Sequence, residues 1–256
     1  MAGTAPGTGR APAGPRRTAL IPTLTLLLGA LYCLLPVAWV VVASTKSGSE
    51  LFSTFTFWPG TGFTGNLSDL NAYRDGVYWT WMGNSALYAG LGALLSTCVS
   101  AVSGYALGVY RFRGRETLFN VLLTGVLMPP VILAVPQYLL LAQADLTDSY
   151  LSVLLPQILS PYGVYLARTY AAASVPSDVV EAGRMDGAGE WRIFTRVALP
   201  MMLPGLVTVF LFQFVAIWNN FLLPYIMLSD DEKFPITLGL HTLLKQGANA
   251  PALAPW

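Results

Sequence analysis

Five stretches of this chain carry no charged side chain, residues 18–44, 84–110, 118–142, 150–167 and 197–228. A helix needs about 20 mostly apolar residues to cross a bilayer. Four of the stretches exceed that length. The fourth, which holds Pro156 and Pro161, is the shortest. Irregular backbone at those prolines is tolerable only where protein or a water-filled cavity satisfies the freed polar groups. Hydrophobic residues make up 54% of the chain and charged residues only 11%, against about 25% charged in soluble domains. The bilayer is therefore the expected solvent. The expected fold is an all-α polytopic membrane protein with five transmembrane helices.

The few charges place the loops. Arg10, Arg16 and Arg17 precede the first stretch, Arg111, Arg113 and Arg115 follow the second, and Arg168, Arg184, Arg192 and Arg196 follow the fourth. With alternating crossings these ten basic residues share one side, and Lys46, Arg74, Lys233 and Lys245 fall on the other. The basic side should be cytoplasmic, which puts the N-terminus and the 168–196 link inside. The first apolar run is longer than the roughly 7–15 residue core of a signal peptide, so it reads as an anchor. Residues 1–17 read as a disordered cytoplasmic tail. Residues 18–83 hold the first span and an extracytoplasmic loop, and residues 84–256 the core. Tyr78, Trp79 and Trp81 are expected at the outer interface, where such rings are enriched. Cys33 and Cys98 lie in apolar runs and read as packing residues.

One segment stands apart: EAGRMDGAGEWRIFTRVALPMMLPG, residues 181–205, which opens with six charges in sixteen positions. Pro176 suits the first turn of a helix, with Ser174 as a nearby cap. That helix is expected over 176–186, with Gly187 as a left-handed stop. A second helix is expected over 189–198, ending before Pro200. Arg192 and Arg196 share a face of it at a cost of a few tenths of a kcal/mol. One reading makes this an interfacial helix whose arginines meet lipid phosphates. The other makes the first helix and turn a protrusion that docks a partner. Together the two helices define a loop over 174–200.

The segment resembles the cytoplasmic loop of ABC importer permeases, E-A-A-x-x-x-G followed by I-x-L-P. Glu181, Ala182, Gly183 and Gly187 match its first part, with glycine in place of the second alanine. Asp186, Gly187 and Ala188 match its D-G-A, and Phe194, Val197, Leu199 and Pro200 match its tail. NSALYAG (84–90), LMPPVILAVPQYLLL (127–141), LTDS (146–149) and PGTGFTGNL (59–67) are similar to other parts of such permeases. IWNNFLLPYIML (217–228) is similar to the fifth span of the maltose-type, carbohydrate-uptake members.

The resemblance implies a type I importer permease fold in a bacterial cell membrane, with Glu181, Ala182, Gly183, Asp186, Gly187 and Ala188 as the coupling loop to a separate ATPase. It implies a second permease subunit, two ABC ATPase subunits, an extracytoplasmic solute-binding protein and membrane lipid as partners. Members usually have six spans, and no sixth is expected before residue 256. Gly183 costs up to about 1 kcal/mol of helix propensity, and Gly189 is a weaker cap than serine.

No G-x-x-x-x-G-K-[ST] is present, so ATP and Mg are expected on the partner ATPase rather than on this chain. No metal or catalytic constellation is evident, and the single histidine, His241, reads as a surface residue. The net charge of +1 gives no reason to expect a nucleic-acid partner. Ionisable groups deep in the spans are absent, which argues against an ion-driven carrier. Gln213, Trp218, Asn219 and Asn220 are candidates for a neutral-solute pathway, or for interhelical hydrogen bonding. The expected function is a permease subunit of an ATP-driven sugar importer. Alternatives are a permease for amino acids or phosphate, or a membrane scaffold that only anchors a partner.

Overall fold

The computed structural model describes residues 20–53 and 57–249, and the expected tail over 1–17 lies outside them. Thirteen α-helices are present among the described residues: α1 (Leu20–Ser44), α2 (Gly48–Ser53), α3 (Phe63–Ala72), α4 (Val77–Val109), α5 (Arg115–Leu127), α6 (Pro130–Gln143), α7 (Tyr150–Ile158), α8 (Pro161–Ser174), α9 (Ser177–Met185), α10 (Glu190–Ile193), α11 (Leu199–Trp218), α12 (Leu222–Met227) and α13 (Ile236–Asn249). They divide into two compact units between Asp69 and Leu70.

In the first unit, α1 is apolar around its circumference, with Ile21, Leu26 and Tyr32 all largely exposed. A helix apolar on every face belongs in lipid or inside a larger assembly. Its end is closed by Asn66, whose side-chain amide donates to the Ser44 and Lys46 carbonyls at 3.0 and 2.9 Å. The Thr45 hydroxyl accepts from the Gly60 N–H at 2.9 Å.

The second unit is built around α4, which packs against α7, α8, α11 and α13. Its approach to α8 follows from a row of small residues. Ser96, Ser100, Gly104 and Gly108 recur every four positions, so they share one face. Gly163, Ala167 and Ala171 form the matching row on α8. A Cβ on Gly104 would lie 2.5 Å from the Ala167 Cβ and 2.6 Å from the Arg168 backbone nitrogen. Only a missing side chain allows two backbones to come this close, which is how small residues draw membrane helices together.

Two of the five expected stretches, 18–44 and 84–110, are single long helices among the described residues. The apolar helices α1, α4 and the one over Glu190–Trp218 are each long enough to cross a bilayer. The stretch 118–142 is instead the pair α5 and α6, bent by 102°. Met128 and Pro129 each precede a proline and are extended, with ψ of 125° and 129°. Proline disfavours the helical conformation in the residue before it. The stretch 150–167 is likewise divided into α7 and α8. Ser160, before Pro161, is extended and caps α8 by accepting from the Gly163 N–H at 3.0 Å. In the stretch 197–228 the helix ends at Trp218, and α12 follows as a separate short helix.

The expected outer loop is also largely helical. α4 begins at Val77, not at Asn84, so Tyr78, Trp79 and Trp81 lie on its first turns. Trp81 is not an interfacial ring. It is fully buried, and its indole N–H donates to the Asp231 carbonyl at 2.8 Å. Further along the same face, Asn84 donates to the carbonyls of Glu232 (2.7 Å) and Phe234 (3.1 Å). The Tyr88 hydroxyl donates to the Lys233 carbonyl at 3.0 Å. The Ser85 hydroxyl accepts from the Ile236 N–H at 2.8 Å. One face of α4 thus satisfies the backbone of the 231–236 turn, which would otherwise bury unpaired carbonyls.

Asp148 holds the preceding residues by accepting from the N–H groups of Asp230 (3.0 Å) and Ser229 (2.9 Å). Those two donors, with Lys233 nearby, keep its carboxyl below the usual carboxylate range. His241 is half-buried with its ring against Phe221 (4.9 Å) and Tyr225 (6.2 Å), so it is a packing residue and not a free surface group.

Candidate functional site

The 174–200 loop forms the helix–turn–helix expected, with two changes. Pro176 is the extended N-cap of α9. Ser174 does not cap α9. It is the last residue of α8, and its hydroxyl donates back to the Tyr170 carbonyl at 2.6 Å. The second helix does not end before Pro200. α10 passes through a π-helical turn over Phe194–Ala198 directly into α11, giving one helix over Glu190–Trp218. Proline has no N–H and its ring collides with the carbonyl four residues back. The wider π turn, in which the Leu199 N–H reaches the Phe194 carbonyl, carries the helix past that position.

The turn between α9 and α10 has a defined chemistry. Gly187 has φ +76°, a left-handed conformation that glycine adopts without a Cβ clash. Its N–H donates to the Arg184 carbonyl and the Ala188 N–H to the Gly183 carbonyl, both at 3.0 Å. This pair of bonds is the Schellman stop. Gly183 faces inward, where a Cβ would lie 3.2 Å from the Ile193 Cγ1. Its glycine therefore trades helix propensity for the close approach of a fully buried isoleucine.

Glu181, Ala182 and Asp186 are exposed, as are Met185 (88%) and Trp191 (68%). Val180, Ile193 and Phe194 are buried beneath them. The loop thus presents an apolar and acidic outer face on a packed base. Arg192 and Arg196 are both exposed beside it. Glu190 accepts from Arg184 at 2.7 and 3.3 Å and from the Tyr110 hydroxyl at 2.8 Å. That contact could not be read from sequence, because Tyr110 lies 80 positions away.

Gly189 is extended (φ −70°, ψ 156°), makes no side-chain cap, and has open space where a Cβ would stand. Gly189→Ser is expected to raise stability by roughly 0.5–1 kcal/mol through a cap and a stiffer unfolded chain. Gly183→Ala, a better helix former, should gain nothing because Ile193 occupies the space. Melting temperatures of the two detergent-solubilised variants check this ordering.

The four polar candidates do not converge. Gln213 is 8% exposed, and its amide donates to the Ser160 hydroxyl at 2.5 Å, joining α11 to α8. Trp218 stacks on Phe214 at 5.7 Å. Asn219 is exposed and donates to the Val215 carbonyl at 2.8 Å. Asn220 starts α12 by accepting from the Leu223 N–H at 3.3 Å. It also lines a cavity of about 100 Å³ with Gln137, Gln157 and Pro130. Gln137 and Gln157 are, like Asn220, neutral polar groups of the apolar stretches suited to a hydroxyl-rich solute. Their membership of the cavity depends on the breaks before α6 and after α7, which bring separate helices to Asn220. No group of three or more His, Cys, Asp or Glu side chains suited to a metal occurs among the described residues.

A family model described as "Binding-protein-dependent transport system inner membrane component" matches residues 100–254. The chain belongs to this family. It is therefore a transport subunit and a multi-pass membrane protein, not an enzyme, and it works with a partner permease, an ATPase and a binding protein. This permease is 34% identical over 241 residues to the arabinooligosaccharides transport system permease protein AraQ of Halalkalibacterium halodurans, covering 91% of this chain and 86% of that one. It is 31% identical to the diacetylchitobiose uptake system permease protein NgcG of Streptomyces coelicolor, covering 88% and 74%. It is 30% identical to the lactose transport system permease protein LacG of Rhizobium radiobacter, covering 85% and 78%. The permease also has the fold of a chain from a bacterial ABC transporter involved in alginate import, with a TM-score of 0.76, 23% identity and coverage of 92% and 82%.

Proposed function

We propose that this permease forms half of the translocation pathway of an ATP-driven importer of neutral oligosaccharides. It pairs with a second permease subunit, two ATPase subunits that carry ATP and Mg, and an extracytoplasmic solute-binding protein. The N-terminus and the 174–200 loop face the cytoplasm. Glu181, Ala182, Gly183, Asp186, Gly187 and Ala188 form the handle that the ATPase moves. The observation that carries this reading is the exposed α9 and its Schellman turn, standing at the head of the continuous helix 190–218. A push on the handle travels directly into a membrane helix. ATP binding closes the ATPases and turns the cavity outward, and hydrolysis resets it.

The sugar reading rests on the names of the arabinooligosaccharide, diacetylchitobiose and lactose relatives and on the polar groups available. Asn220, Gln137 and Gln157 offer amides to hydroxyls, and Trp218 and Asn219 lie at the adjoining helix end. Gln213, tied to Ser160, acts as interhelical glue. A relative named as an sn-glycerol-3-phosphate permease is 30% identical. A phosphorylated solute is nevertheless the weaker reading, because α4, α6, α7 and α11 contain no lysine or arginine.

The test is reconstitution of the permease with its ATPase, partner permease and binding protein in liposomes, with uptake of labelled arabino-oligosaccharide, diacetylchitobiose and lactose measured. ATP-dependent uptake of one of them is expected, with loss of uptake in Gly187→Pro, whose fixed φ cannot reach +76°. Full uptake with residues 181–188 deleted would sink the coupling role. Uptake of none of the three sugars would sink the substrate class.

A further inference from the structure

The Glu190 carboxylate is the meeting point of three elements. It belongs to α10, the start of the continuous helix. It accepts two hydrogen bonds from Arg184 on the last turn of α9, and one from Tyr110, which caps the end of α4. Arg184 also lies over the Tyr110 ring, 6.0 Å from its centre. Behind this contact the Tyr110 ring meets Tyr105 at 5.4 Å, and Tyr105 meets Phe194 of the π turn at 5.1 Å. The Tyr110 carbonyl in turn accepts from Arg115 at 3.2 Å, which fixes the chain as it leaves α4.

The handle therefore has two mechanical outlets. One is covalent, through α10 into α11. The other runs through the Glu190 carboxylate into α4, the helix against which α7, α8, α11 and α13 all pack. α4 and α11 already pack against each other, and the carboxylate adds a direct tie from the handle itself to the end of α4. Joining both helices to one carboxylate makes the handle drive them together.

We propose that Arg184, Glu190 and Tyr110 form a latch that transmits displacement of the loop to α4, and that these positioning residues set how many solute molecules are imported per ATP hydrolysed. The proposal rests on the transport reading above and deepens it. The exposure of the Arg184 and Glu190 side chains, 44% and 50%, suits a contact that must shift during a cycle and not merely hold the fold. A surface ion pair of this kind contributes little to stability. Its removal should therefore change coupling more than folding.

The experiment uses the complete transporter in liposomes and compares wild type with Tyr110→Phe and Glu190→Gln. Tyr110→Phe keeps the ring and removes the hydroxyl, whereas Glu190→Gln keeps an acceptor and removes the charge. Three quantities are read: retention of the ATPase on tagged permease, ATP hydrolysis with and without the binding protein, and uptake of labelled arabino-oligosaccharide, diacetylchitobiose and lactose, the coupling ratio being taken for the sugar that the wild type imports. Both variants should retain the ATPase within twofold of wild type, while uptake per ATP falls at least threefold. Arg184→Glu with Glu190→Arg restores an ion pair of reversed sense and should recover part of the ratio lost in Glu190→Arg alone.

An unchanged uptake-to-hydrolysis ratio in both variants overturns the latch, as does a parallel fall of retention, hydrolysis and uptake, which marks a purely structural contact. A wild-type complex with neither uptake nor a hydrolytic response to the binding protein overturns the transport reading and the latch with it.

Discussion

Gly104→Leu is expected to leave little folded permease. A single Cβ at this position already falls 2.5 Å from the Ala167 Cβ and 2.6 Å from the Arg168 backbone nitrogen, so the clash is against backbone as well as side chain. Neither neighbour can rotate away. Ala167 is fully buried, and α8 is held by Ser160 at one end and packed against α11 along its length. Overpacking of this kind costs about 1–3 kcal/mol for small insertions. Leucine adds three further carbons, and the whole protein has only about 5–15 kcal/mol in reserve.

Gly104→Ala should already destabilise, although alanine is the better helix former by about 1 kcal/mol. Gly90→Ala on the same helix is the control, since a Cβ there meets nothing within 4 Å. That variant should be neutral or stabilising by up to about 1 kcal/mol. Monodisperse yield and thermal unfolding in detergent measure all three. Equal melting temperatures for Gly104→Ala and Gly90→Ala would show that α4 and α8 are not in close contact.

Trp81→Ala should cost about 3–5 kcal/mol, the range for truncating a buried aromatic. Its ring fills the space above Gly239 on α13, and its indole N–H satisfies the Asp231 carbonyl. Losing both the ring and the bond frees the 231–236 turn from the start of α4. Trp81→Phe separates the two contributions. It retains much of the ring and removes the donor, with an expected cost of about 1–3 kcal/mol for the stranded carbonyl. Thermal unfolding gives the size of each effect. Faster hydrogen exchange confined to the 231–236 backbone in Trp81→Phe would assign the loss to the hydrogen bond. Melting of Trp81→Ala within 1 kcal/mol of wild type would contradict the burial.

The contrast between Gly187 and Trp81 shows what can be read in the chain and why. A Schellman stop is a local event, and glycine at the end of an amphipathic run announces its left-handed φ. The exposed helix and turn could thus be anticipated from residues 181–188 alone. Trp81 at the edge of an apolar stretch has the same local appearance as an interfacial ring. Its partner is a backbone carbonyl 150 positions away, and no local pattern carries that information.

The G-x-x-x-G spacing of Gly104 and Gly108 is local, but it gains meaning only beside Ala167 and Ala171. Prolines misled in both directions. Pro130 breaks a stretch that composition suggested was continuous, Pro161 breaks one where irregular backbone was already expected, and Pro200 does not end its helix because a π turn absorbs it. Gln213 reads equally well as pathway or glue until Ser160 is placed against it.

The uninterrupted helix from Glu190 to Trp218 makes the loop and the membrane interior parts of one rod. Its 29 residues span about 43 Å at 1.5 Å per residue, so a tilt of roughly 10° imposed at the loop end swings the far end by about 7 Å. That is a lever with a large mechanical advantage in distance. On the reading proposed above, a modest rotation at the Glu190 end becomes a shift of several ångströms at Trp218 and Asn219.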